Sequence, residues 1–137
     1  MPFASSFGEG LCEAFPDTCK TPAGPAVVPI PYPNIAELAM ADPGTCSEKV
    51  MIVCMPAATT DTQILMSEGD DAGVEGGVIS GMISGPCKFV LGSSIVMIGG
   101  QPAVFMGSTI GQNGVSSANA PMGVQVMPSQ EIVQVAP

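Results

Sequence analysis

Short runs of Val, Ile, Phe and Met, each broken by glycine, proline or serine, fill the middle of the chain from Gly69 to Asn113. Runs of this kind, bounded by turn formers, predict β-strands joined by tight turns. Strands are expected near Gly77–Ser84, Cys87–Leu91, Ser94–Ile98 and Ala103–Met106, with Gly92, Ser93, Gly99 and Gly100 in the turns because glycine adopts positive φ freely. Val50-Met51-Ile52 followed by Pro56-Ala57 recurs 46 residues later as Val96-Met97-Ile98 followed by Pro102-Ala103. A strand entering a Pro-Ala corner is thus used twice, which points to a compact β-object with internal pseudo-symmetry.

The flanks read differently. Phe3, Phe7, Leu11 and Phe15 recur at every fourth position, which suits either a short amphipathic helix or, given Gly8 and Gly10, an arm docked by its aromatics. Pro22, Pro25, Pro29, Pro31 and Pro33 crowd Thr21–Asn34; each fixes φ and lacks an N–H, so an extended polyproline-like strap pinned by Ile30 and Tyr32 is expected. Asn34 is placed to cap a two-turn helix over Ile35–Ala41. Further strands are expected at Glu48–Met55, Gln63–Met66, Gly123–Met127 and Glu131–Val135. The acids Glu68, Asp70, Asp71 and Glu75 read as a solvated turn, since a calcium loop needs oxygen ligands at alternate positions and a distal Glu.

At 137 residues the chain fits one domain. We divide it into an arm (1–21), a core (22–114) and a tail (115–137). Charged residues make up only 11%, and the net charge of −9 reflects three lysines and no arginine. Phosphate neutralisation requires a basic face, so the balance argues against nucleic-acid binding. No charge occurs between Phe89 and Gln130; polar residues interrupt the stretch too often for a membrane span. It is expected to be covered by its own core or by a partner, with Val104 in the core and Ser108 and Gln112 on a docking surface. Met1–Gly10 lacks the features of a secretory leader, so assembly in the cytoplasm is expected.

Cys12, Cys19, Cys46, Cys54 and Cys87 form no CxxC pair. They fit buried reduced thiols, a Cys12–Cys19 disulfide, or a four-cysteine metal site. With no histidine, Ser-His and Cys-His nucleophiles, imidazole bases and His-based metal centres are all excluded. No P-loop spacing is present. The expectation is a non-enzyme with no catalytic, cofactor or metal-ligating residue and no stoichiometric zinc.

Pro16-Asp-Thr-Cys-Lys-Thr-Pro22, Pro29-Ile-Pro-Tyr-Pro-Asn34, Gly69-Asp-Asp-Ala-Gly73, Gly76-Gly-Val-Ile-Ser-Gly81 and Val96–Val104 together resemble the PAAR-like family in composition and order, over roughly Pro16 to Gly114. The resemblance implies a mainly β, single-domain cone with pseudo-repeated strand units and one or two short helices. It further implies a structural tip, one per trimer, that caps the VgrG-like spike of type VI secretion and related contractile injection systems and is ejected with it to puncture a membrane. The runner-up expectation is an adaptor that binds a separately encoded effector. Related PAAR tips hold zinc with histidines and a cysteine; Thr109-Ile-Gly-Gln-Asn113 stands where a Thr-x-x-His pattern occurs in relatives, so a histidine-held zinc is excluded here.

Overall fold

The computed structural model describes every residue, Met1–Pro137, and is built around one long β-hairpin. Its strands are β1 (Leu11–Ala23) and β2 (Ala26–Glu37), antiparallel from Ala23↔Ala26 to Leu11↔Glu37. Gly24 at φ 65 followed by Pro25 has the sign pattern of a type II′ turn. A two-residue loop makes Ala23 and Ala26 the first hydrogen-bonded pair, so Pro22, Pro29 and Pro31 fall at alternate positions that face away from the partner strand. A missing N–H there costs no ladder bond. β2 is also the edge of its sheet, where prolines are tolerated. The proline-rich segment is therefore an edge strand and not a polyproline strap. The expected arm does not exist as a separate unit either, since from Leu11 onward it is β1.

The helix expected over Ile35–Ala41 is also absent. Ile35–Glu37 continue β2, and only Leu38–Met40 make one 3-10 turn, followed by a second over Pro43–Thr45 that Asp42 caps by accepting from the Gly44 N–H at 3.0 Å. Two turns of isolated helix are marginal, whereas the ladder satisfies the same backbone groups and lets Leu38 bury completely.

Eight shorter strands follow: β3 (Met51–Ile52), β4 (Met55–Pro56), β5 (Gln63–Ile64), β6 (Cys87–Phe89), β7 (Met97–Ile98), β8 (Gln101–Pro102), β9 (Thr109–Gln112) and β10 (Ala120–Met127). The main sheet has the order β2-β1-β10-β9-β6-β5, with every neighbouring pair antiparallel. Its apolar core includes Cys12, Leu38, Ile64, Cys87, Phe89, Val104 and Ile110. The strand expectations at Gln63–Met66, Cys87–Leu91, Ser94–Ile98 and Gly123–Met127 correspond to β5, β6, β7 and part of β10. Those at Gly77–Ser84 and Ala103–Met106 do not: the first is a chain of turns entered by the bridge Gly77–Cys19, the second two isolated bridges, Ala103–Thr59 and Phe105–Ala4. Glu131–Val135 likewise makes only the bridge Gln134–Phe3.

This sheet covers part of the uncharged stretch. β9 and β10 are interior strands, and Ser108 and Gln112 are 2% and 0% exposed. Neither lies on a docking surface, contrary to expectation, while Val104 is in the core as expected. All five cysteines are free, four of them buried and Cys54 exposed. Cys12 and Cys19 lie on the same strand roughly 20 Å apart at strand rise, far outside disulfide reach. No helix is long and apolar enough to cross a membrane.

Glu48–Met55 is not one strand but the β3–β4 hairpin, with Val53 and Cys54 as its two-residue loop at φ 51 and φ 64. The matching β7–β8 hairpin uses Gly99 and Gly100 at φ 59 and φ 85. Both loops have the positive φ pair of a type I′ turn, which favours Asn-Gly and strains a β-branched residue. Val53→Asn with Cys54→Gly is therefore expected to stabilise the protein by about 1–2 kcal/mol, read as a higher urea midpoint at unchanged m-value.

Candidate functional site

The two hairpins are corners of a three-cornered base. In the first, the Ser47 N–H donates to the Ala57 carbonyl at 2.8 Å and the Ala57 N–H to the Val50 carbonyl at 3.0 Å. In the second, Ser93 and Ala103 repeat these bonds, at 2.7 Å to Ala103 and 3.0 Å to Val96. The third corner is assembled from both flanks of the chain: the Ala4 N–H donates to the Val133 carbonyl at 2.9 Å, and Phe3 bridges Gln134 as Pro56 pairs with Met51 and Pro102 with Met97. Each corner even has its own local acceptor. Ser47 Oγ accepts from the Lys49 and Val50 N–H groups, Ser93 Oγ from Ile95 and Val96, and Gln130 Oε1 from Ile132 and Val133.

A closed ring joins the corners. The Ser5 N–H donates to the Val104 carbonyl at 3.0 Å, Val104 to Ala58 at 3.3 Å, and Ala58 back to Ser5 at 3.0 Å. A second ring surrounds it: Phe7 donates to Pro56 at 2.8 Å, Thr60 to Pro102 at 3.1 Å, and Met106 to Phe3 at 2.9 Å. The apolar centre follows the same rule, with Ile52, Ile98 and Val135 in one set and Ala4, Ala57 and Ala103 in the other. Equivalent residues meeting in closed cycles of three define a pseudo-three-fold axis. The corners leave apolar side chains in solvent: Met51 is 55% exposed, Ile95 70%, Met97 57% and Ile132 76%. The 46-residue repeat marks two of these corners. The third escapes because it is divided between residues 2–7 and 130–135 and replaces the serine acceptor with glutamine.

Above the base, polar residues from the sequence motifs meet at one buried carboxylate. Asp17 follows a register shift in β1 between Ala14 and Asp17 and is fully buried. Its Oδ2 accepts from Asn34 Nδ2 at 3.1 Å, and its Oδ1 accepts from Asn113 Nδ2 at 3.2 Å and from Asn119 Nδ2. The asparagine proposed as a helix cap is thus a donor to Asp17, itself held by Gln112 Nε2 at 2.6 Å from Asn34 Oδ1. Gln112 Oε1 has no partner and faces Gly123. Asn113 and Asn119 each work in two directions. Their amide oxygens accept from the Gly85 N–H at 2.9 Å and from the Ile79 N–H at 2.8 Å, tying the turn segment to β1. Asp70 belongs to that segment and is not the solvated turn acid expected of it: it is fully buried, with Oδ1 accepting from the Ser84 N–H at 3.0 Å.

Asp17, Cys19 and Asp70 bring potential ligand atoms within 4.8 Å of one another. They do not fit a zinc ion. The oxygens of Asp17 already accept from three amide N–H groups, no histidine exists to complete a tetrahedral set, and the Cys19 thiol is pushed up to about 12 by burial and by the Asp17 and Asp70 carboxylates. Burial similarly raises Cys87 to about 11 and, together with Cys87, lifts Cys12 above its ordinary value. These thiols are inert packing groups.

Residues 10–121 match the family described as Toxin PAAR-like domain. The chain belongs to the PAAR-like family. No curated protein and no solved structure matches it. The PAAR-like match spans the carboxylate cluster and two of the three corners, while both halves of the third corner, residues 2–7 and 130–135, lie outside it.

Proposed function

We propose that this chain is a spike-tip protein, one copy of which caps the three-fold end of a trimeric, VgrG-like β-helical spike in a type VI secretion or related contractile injection machine. The cap assembles with the spike in the cytoplasm, sharpens it for membrane puncture and leaves the cell with it. The observation that carries this reading is the closed ring of Ser5, Ala58 and Val104. One chain that offers three near-equivalent corners about a pseudo-three-fold axis is matched in stoichiometry by a partner with a true three-fold axis. Met51, Met97 and Ile132 supply exposed apolar area at the corners, and the short strands β3 and β7 each pair on one side only, leaving an edge for strand addition. The role is mechanical and not catalytic.

The test is co-elution of the purified protein with a trimeric VgrG-like spike protein from the same organism. Wild type is expected at one copy per three spike chains. Met51→Asp, Met97→Asp and Ile132→Asp combined are expected to leave the fold intact, because these side chains are exposed, while reducing binding at least a hundredfold by placing unpaired charge in a buried interface. Val27→Asp, at the far end of the long hairpin, is expected to bind as wild type. Normal co-elution of the triple variant would place the docking surface elsewhere.

A further inference from the structure

Asp17 and Asp70 are two carboxylates buried side by side with no basic side chain bonded to either. Asp17 accepts from the amides of Asn34, Asn113 and Asn119. Asp70 has only the Ser84 N–H at Oδ1, and its Oδ2 faces the Cys19 thiol at 3.9 Å. The other titratable groups around them are the thiols of Cys19 on β1 and Cys87 on β6, both neutral. Asp71 points outward to accept from Ser84 Oγ at 3.0 Å, and no lysine hydrogen-bonds to either carboxylate. Two adjacent buried anions repel at close range, so the pair is compatible with one proton between them, held on Asp70.

We propose that this single proton latches the turn segment Ser67–Gly85 to the sheet, so that the segment is held tightly in acid and loosens as the medium becomes alkaline. The coupling is direct. The asparagines that hold Asp17 also hold the segment through Gly85 and Ile79, and the Lys20 N–H donates to the Gly76 carbonyl at 2.8 Å along the same seam. Loss of the proton sets Asp70 against Asp17 and strains every one of these bonds. Burial, followed by the Asp17 carboxylate beside it, raises Asp70 from 3.8 to about 7. A carboxyl raised on folding contributes stability that is fully present below its unfolded value and lost as pH rises through its folded value, so the window lies between about pH 4 and just above neutrality.

Amide hydrogen exchange tests the latch on the protein alone, independently of docking. After correction for intrinsic rates, protection across Gly73–Gly85 is expected to fall about 30-fold between pH 5.5 and pH 8.5. Asp70→Asn supplies a permanent donor to Asp17 and is expected to remove that dependence, whereas Asp71→Asn should keep it. Protection that does not change with pH in the wild type, or that falls equally in Asp70→Asn, overturns the proposal. A carboxyl-carbon NMR titration of the wild type reads the same proton without any substitution: an Asp70 inflection near neutrality supports the latch, and one below pH 5 sinks it.

Discussion

Asp17→Ala is expected to leave a chain that no longer holds its native structure at 37 °C. The carboxylate is fully buried and accepts from amides on three separate elements, Asn34 of β2, Asn113 after β9 and Asn119 before β10. Removing it takes an acceptor from three amides at once: Asn34 Nδ2 loses its partner, while Asn113 and Asn119 keep the Met82 and Thr18 carbonyls. An unsatisfied buried donor costs about 1–3 kcal/mol, and breaking a buried charged network costs about 3–5 kcal/mol, against a total stability of about 5–15 kcal/mol for an ordinary domain. Asp17→Asn fares little better, since it turns an acceptor that serves three donors into a group that donates as well. Asp71→Ala is the contrast: its only bond is an exposed one to Ser84, and a change within about 0.5 kcal/mol is expected. Urea unfolding of the three variants orders them, and a stable Asp17→Ala would remove the carboxylate from its place at the centre of the fold.

The second large effect is expected at Gly69. Its neighbour Glu68 is fixed in a two-way bridge with Ile35, at 2.8 Å and 2.7 Å, so the backbone there has nowhere to go. Gly69 itself has φ 120, and a Cβ would run into the Pro33 carbonyl oxygen. Gly69→Ala therefore combines a disallowed backbone conformation with a clash against main chain, worth about 2–5 kcal/mol. Gly81 offers the matched control, with φ 73 and open space around it; alanine there meets only the left-handed penalty of about 1–2 kcal/mol. Equal urea midpoints for the two variants would refute the close approach of the turn segment to β2.

These two positions also show how much could be read without coordinates. Gly69-Asp-Asp-Ala-Gly73 and Pro29–Asn34 stand out as motifs, but nothing in a linear string says that the glycine of one exists to let the carbonyl of the other pass. Asp17 sits among ordinary polar residues, and its importance comes from partners up to 102 positions away. The edge strand is a different case. Prolines at alternate positions carry the two-residue period of a strand, and the polyproline reading weighed the number of prolines over their spacing. The lack of charge from Phe89 to Gln130 points to a covered docking surface that includes Ser108 and Gln112; the structure instead spends them on internal bonds, Ser108 Oγ to the Phe105 N–H and Gln112 Nε2 to Asn34. The repeat was legible where it is contiguous and illegible where the chain interrupts it.

That interruption bears on how the molecule reaches its native state. Residues 2–7 are made well before the partners that complete their corner, Gln130 and Val133–Val135, which follow more than a hundred residues later. Contacts of such sequence separation close slowly. Until they do, the opening segment has no partner strand of its own corner, and Phe3 and Phe7 remain free to meet other surfaces. Local hairpins form early and the base seals last, so its third corner is incomplete until residues 130–135 have been made. Synthesis order itself thus acts as a timer on the completion of the three-cornered base.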